Sequence, residues 1–244
     1  MAKRWWATGI GWLLGGPWWG LAGYLLGDRL DRGNGSGYGQ RDDRLVSLAH
    51  LTASLLQASG RQELVDVRRS VVFWRRTLRI APGEEQLLEN RLQSFLQDSS
   101  ELHELARIFA SSLTGDDRLQ FWCWFDDLAK HLALPRQEAA PWLIQIAGCW
   151  ELTGPHSCPW HMSMVNKGRI TPAEIASCYQ VLELPLDAEW DEVKGHYRKL
   201  AKAHHPDRVN RNGVMNENEE EGELHPMARI NSSYQVLKSW FGVD

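Results

Sequence analysis

The chain has 244 residues, 43% of them hydrophobic and 24% charged. That balance excludes wholesale disorder and, at roughly 100–200 residues per domain, suggests one domain or two small ones with appendages. A formal net charge of −4 and a pI near 6.1 exclude a protein built mainly to coat nucleic acid, which needs a basic face or tail. Four cysteines, Cys123, Cys149, Cys158 and Cys178, are too few for a disulfide scaffold at this length and fit a reducing compartment.

Composition is uneven along the chain. Of 13 tryptophans, Trp5, Trp6, Trp12, Trp18 and Trp19 fall at the very start, inside an uncharged stretch over residues 5–27. A helix of that length spans about 30 Å, the thickness of a bilayer's hydrocarbon core. Lys3 and Arg4 precede it, Asp28, Arg29, Asp31 and Arg32 follow it, and Trp5, Trp6 and Tyr24 lie near its ends, where amphipathic rings prefer to sit. Pro17 and seven glycines would weaken a helix in water but are tolerated in lipid. Residues 1–32 therefore read as a single-span membrane anchor and not as a signal peptide, because no A-x-A cleavage pattern follows. The pairs Gly11/Gly15, Gly16/Gly20 and Gly23/Gly27 have the GxxxG spacing through which two such spans pack closely, which suits a homodimer. Arg29, Arg32, Arg41 and Arg44 after the span bias its C-terminal side toward the cytoplasm.

Residues 33–43, GNGSGYGQRDD, read as a flexible tether. From 44 to 152 apolar residues recur at helical spacing without strand-like alternation. Leu45, Leu48, Leu51 and Leu55 form one stripe, and Leu64, Val67, Val71, Trp74 and Leu78 a second. Pro82 is placed to open a third helix carrying Leu88, Leu92 and Phe95. Ser100 is placed to cap a fourth with Leu102, Leu105, Ile108 and Phe109 inward, and Asp116 a fifth with Leu119, Trp122, Phe125 and Leu128 inward. A last stretch holds Trp142, Ile146 and Trp150, with Pro141 near its start. Short connections favour antiparallel neighbours, so the region is expected to be a compact helical bundle. Trp122, Trp124 and Phe125 are adjacent and point different ways around a helix, so they are not expected to share one core.

The order of these features, together with LVSLAHLTASLLQASGRQELVDVRRSVVFWRRTLRI, resembles the DjlA-like membrane co-chaperones of the DnaJ family, whose middle part is a TerB-like helical domain. Ser59-Gly60-Arg61 stand where that family has an Asp-Gly turn. The types of Cys149, His156, Cys158 and His161 suit zinc, but their spacing matches no common zinc motif and the prolines around them read as a linker over 153–172. No metal and no cofactor is expected.

The most specific pattern lies in 173–244. Thr171-Pro172-Ala173-Glu174 reads as a helix start, followed by Tyr179, Leu182 and Leu184. In AEWDEVKGHYRKLAKAHHPD, Val193, Tyr197, Leu200 and Ala201 fall on one helix face, and Lys194, Arg198 and Lys202 on another with Lys199 alongside. The helix must stop before Pro206. Pro226 can open a last helix carrying Met227, Ile230, Tyr234 and Leu237, so two antiparallel helices would present His205-Pro206-Asp207 at the tip joining them.

This arrangement resembles the J-domain, with INSSYQVL at 230–237 matching the family's last-helix pattern. The resemblance implies an all-α protein with no catalytic activity of its own, which binds a DnaK-type chaperone and stimulates ATP hydrolysis there. His205, Pro206, Asp207, Lys194, Tyr197, Arg198, Lys199 and Lys202 would make that contact. Four cations would steer the domain onto an acidic surface, and Asp207 is suited to a charge-assisted hydrogen bond with a partner arginine. The alternative is a membrane-tethered scaffold acting through its TerB-like domain with a silent J-domain. An enzyme is not expected, since P-loop, G-x-S-x-G and HExxH patterns are absent. Client proteins are not legible in the sequence.

Overall fold

The computed structural model describes residues 37–78, 80, 83–98, 101–154, 170–204 and 226–243. Every regular element among them is a helix: α1 (Gly37–Ala58), α2 (Leu64–Leu78), α3 (Glu85–Phe95), α4 (Leu102–Ser111), α5 (Gly115–His131), α6 (Arg136–Cys149), α7 (Pro172–Val181), α8 (Trp190–Ala203) and α9 (Pro226–Phe241). None of these is long and apolar enough to cross a membrane. The stretch 5–27, with the glycines Gly11, Gly15, Gly16, Gly20, Gly23 and Gly27, lies outside the described residues.

Helices α1 to α6 form the bundle. α1 packs on α3, α4 and α6, α2 on α3 and α5, and α6 on α4 and α5. α1 begins at Gly37, inside the stretch read as a tether, so the glycine-rich composition does not delay the helix until residue 44. It ends where Gly60 takes a left-handed φ of +64° and the Arg61 amide reaches back to the Leu56 carbonyl at 2.9 Å, a closure that glycine makes with the least strain.

Several helix starts differ from the sequence expectation. α5 is capped by Thr114, not Asp116: its hydroxyl accepts from the Asp117 amide, and the Asp117 carboxylate accepts from the Thr114 amide in return. That reciprocal pair satisfies two orphan donors at once. α4 starts after Glu101, whose side chain makes no cap bond. α6 starts at Arg136 after Pro135, so Pro141 sits inside the helix, not near its start. Two residues assigned to inward stripes face water: Leu64 is 43% and Ile108 51% exposed, because each lies at the edge of its helix's buried arc.

The larger correction concerns α5. Trp122, Trp124 and Phe125 are all fully buried, although they point in different directions. Each direction finds a separate neighbour. Trp124 packs against Phe73 and Trp74 of α2, at centroid distances of 5.3 and 5.9 Å. Phe125 meets Trp142 of α6 edge-on at 5.0 Å. Trp122 stacks on Trp240 of α9 at 5.7 Å. α5 is thus enclosed on three sides, by α2, α6 and α9. Three of the buried indole N–H groups find acceptors: Trp122 donates to the Leu143 carbonyl at 2.8 Å, Trp124 to the Thr77 hydroxyl at 2.9 Å, and Trp150 to the Ala106 carbonyl at 3.0 Å, whereas those of Trp74 and Trp240 have none.

Helices α7 to α9 form the second unit. α7 opens with the expected Thr171-Pro172-Ala173-Glu174 start, a capping box between Thr171 and Glu174 with Pro172 in the first turn. α9 starts at Pro226 and packs on both α7 and α8. Ile175, Tyr179, Leu182, Val193, Ile230 and Leu237 close the core between them. The Tyr179 hydroxyl donates to the Ala188 carbonyl at 3.2 Å, pinning α7 to the turn before α8. α9 also packs on α6, so the second unit rests on the bundle.

Candidate functional site

The amphipathic pattern of α8 decides what this helix offers a partner. Val193 is buried, Tyr197, Leu200 and Ala201 are half-buried toward α9, and Arg198, Lys199 and Lys202 are exposed. Among the described residues these three cations make no ion pair shown by the structure. Lys194 is different, because it pairs with Asp191 one turn back on its own helix. The hydrogen bond and charge of Lys194 hold the Asp191 carboxyl below its ordinary range. The free positive face is therefore carried by Arg198, Lys199 and Lys202, with Lys194 shared.

Tyr197 joins α8 to α9. Its ring stacks on Tyr234 of α9 at 4.0 Å and 13°, and its hydroxyl donates to Asn231 Oδ1 at 3.1 Å. Tyr234 in turn stacks on Trp190 at 5.5 Å, and Trp190 meets Phe241 at 5.3 Å. This aromatic ladder clamps α8 to α9 and gives the basic face a firm backing. The α8 helix ends at Ala203 with His204 as cap. His205, Pro206 and Asp207 lie outside the described residues.

Gly195 sits in the middle of α8, and a Cβ built there meets nothing within 4 Å. Gly195→Ala is expected to raise stability by up to about 1 kcal/mol, because alanine loses less backbone freedom on folding. A urea unfolding midpoint checks this, and a lowered midpoint would contradict the open space around the site.

Of the sulfur and imidazole groups considered for metal, only Cys149 is described. Its Sγ lies 3.0 Å from Nδ1 of His103 on α4, a partner that sequence spacing did not indicate. Burial pushes the Cys149 thiol up. Among the described residues no three His, Cys, Asp or Glu side chains converge, and His156, Cys158 and His161 lie outside them.

A helical hairpin with an aromatic clamp, an exposed basic stripe and a His-Pro-Asp tripeptide next in the chain is a specific combination. Residues 177–239 match the DnaJ domain family. This stretch is a J-domain. Its relatives include the ER-phagy receptor 1 of Schizosaccharomyces pombe, 34% identical over 68 residues, which are 28% of this chain and 16% of that protein. DnaJ protein ERDJ3B of Oryza sativa subsp. japonica is 41% identical over 61 residues, 25% of this chain and 15% of that one. Chaperone protein DnaJ of Campylobacter hominis is 42% identical over 59 residues, 24% and 14% of the two chains. The chain thus covers only a small part, 14–16%, of the length of these curated relatives. No solved structure matches it.

The sequence did not reveal the seat of the J-domain on the bundle. Arg136, the first residue of α6, donates from Nη1 to Asp126 Oδ1 at 2.6 Å and from Nε to the Trp240 carbonyl at 2.7 Å. Its guanidinium carbon lies 3.7 Å from the centroid of the Trp240 ring. Lys130 donates to the other Asp126 oxygen at 2.7 Å. Burial alone would raise the Asp126 pKa, but the Arg136 and Lys130 charges and their hydrogen bonds outweigh it and hold the carboxyl below its ordinary value of 3.8. The Asp126 carboxyl is therefore ionised at neutral pH. One sequence signal was available: Trp240 and Phe241 are adjacent, so only one can face the J-domain core and the other must have a partner elsewhere.

Proposed function

We propose that this chain is a membrane-anchored J-domain co-chaperone of DjlA-like architecture. It binds a DnaK-type chaperone at the cytoplasmic face of the bacterial inner membrane and stimulates its ATP hydrolysis. The observation that carries the reading is the family match over 177–239 joined to an exposed Arg198, Lys199 and Lys202 stripe that leads directly into His205-Pro206-Asp207. Positive charge on a rigid helix raises the rate of encounter with an acidic partner surface. Asp207 supplies a carboxylate for a charge-assisted hydrogen bond, Pro206 restricts the backbone beside it, and His205 offers two ring nitrogens.

The uncharged stretch 5–27 supports the anchor, and the arginines that follow it support cytoplasmic placement of everything after. The bundle, TerB-like in pattern, would then stand between the membrane and the J-domain and select clients or partners. Reconstitution tests both halves of the reading. Full-length chain in lipid vesicles should stimulate ATP hydrolysis by an added DnaK-type chaperone. A variant lacking residues 5–27 should still stimulate but no longer float with the vesicles. Flotation of the deletion variant would refute the anchor, and absence of stimulation by the folded full chain would refute the co-chaperone role.

A further inference from the structure

The end of α9 is finished by a residue from another domain. A helix leaves its last carbonyls without intrahelical donors. Here Val243 N–H serves the Lys238 carbonyl and Gly242 N–H the Ser239 carbonyl, while the Trp240 carbonyl is served by Arg136 of the bundle. Gly242 takes a φ of +63° to make this turn, and a Cβ there would lie 3.7 Å from that of Arg136. Trp240 is 4% exposed, with its ring against Trp122 and under the guanidinium. Phe241, the next residue, turns the other way and meets Trp190 in the J-domain core. Arg136 is itself held by Asp126, which is buried and braced by Lys130.

We propose that Arg136 is a positioning residue that locks the J-domain onto the bundle, so that the two move as one body and the basic stripe of α8 keeps one heading. Each part of the guanidinium has a task. Nη1 takes its bearing from Asp126, Nε caps α9, and the flat face covers Trp240. A planar fork can do all three together, whereas an ammonium is a point charge. The Asp126–Arg136 pair spans the connection between α5 and α6, so a ligand of the bundle that displaced either residue would change where the J-domain points. The bundle is then more than a spacer, because it sets the geometry with which a DnaK-type partner is presented to whatever the bundle holds.

Backbone amide relaxation on the full chain tests this without any partner, and so independently of the co-chaperone reading. In the unaltered protein, amides of 170–204 and 226–243 should report the same rotational correlation time as those of 44–154. In Arg136→Ala the J-domain time should fall below that of the bundle, while chemical shifts around Tyr179 and Trp190 stay in place. That pattern separates loss of positioning from loss of fold. Arg136→Lys should fall between the two. Trp240→Ala, made from the J-domain side with the Asp126–Arg136 pair intact, should release the J-domain as Arg136→Ala does. It also serves if Arg136→Ala does not fold. Independent tumbling of the J-domain in the unaltered chain would overturn the proposal, and so would joint tumbling that survives both substitutions.

Discussion

Trp124→Ala is expected to cost the bundle about 3–5 kcal/mol, the range for truncating a large buried aromatic. Trp124 is fully buried, touches Phe73, Trp74 and Phe125, and its indole donates to Thr77. Alanine removes the transfer energy of the ring and leaves a cavity that those rigid neighbours cannot fill by relaxing. Set against a total stability of roughly 5–15 kcal/mol for an ordinary domain, that is about a fifth of the fold or more. Trp124→Phe should cost less, because it keeps most of the volume and gives up chiefly the hydrogen bond. Urea unfolding followed by far-ultraviolet circular dichroism measures both, since the other tryptophans obscure a fluorescence signal. A loss under about 1 kcal/mol for Trp124→Ala would mean that α5 is not the enclosed centre described above.

The double variant Arg198→Glu/Lys202→Glu should need at least tenfold more protein to half-stimulate a DnaK-type ATPase. Both side chains are exposed on the face of α8 turned away from α9, so reversing them should leave the fold intact. Two unit charges in contact interact by about 1 kcal/mol even at the dielectric of water, and each reversal changes the charge by two. Several kcal/mol of unfavourable interaction before screening comfortably exceeds the 1.4 kcal/mol that makes a tenfold change. The effect should shrink as salt is added, because contacts between exposed charges are screened beyond about 10 Å at 0.1 M. Arg69→Glu/Arg76→Glu on the exposed face of α2 carries the same charge change and should move the half-point little. Equal losses in both variants would point to overall charge instead of the α8 surface.

The J-domain was the most legible part of the chain because its information is local. Thr171, Pro172 and Glu174 announce a helix start by their own side-chain chemistry, and Val193 and Leu237 fall on stripes that a single helix period predicts. The bundle was legible as helices but less so as packing. A period identifies which side of one helix is apolar, but not how many neighbours the helix has. That is why Trp122, Trp124 and Phe125 looked too many for one core until α2, α6 and α9 were seen on three sides of α5. The same limit hid Ile108 and Leu64, whose helices bury a narrower arc than their apolar residues cover. Cap chemistry was ambiguous where candidates crowd together: Thr114 and Asp116 are both good caps, and the reciprocal bond with Asp117 favours Thr114.

Contacts between distant segments left the weakest trace. His103 and Cys149 meet across 46 residues of chain, and Arg136 and Trp240 across 104. Nothing in local composition marks either pair. Tyr197 has a structural task that its place within the basic helix did not indicate. The ladder through Tyr234 and Trp190 makes it a support for the surface beside it.

The central claim is that the tripeptide after α8 works on a DnaK-type chaperone. It is tested most directly by single-turnover hydrolysis of chaperone-bound ATP with the full-length chain and its His205→Gln variant. The account predicts clear acceleration by the unaltered chain and none by the variant, with equal circular dichroism for the two. Acceleration of the same size by both would contradict it, and so would a folded, unaltered chain that leaves the rate where it was.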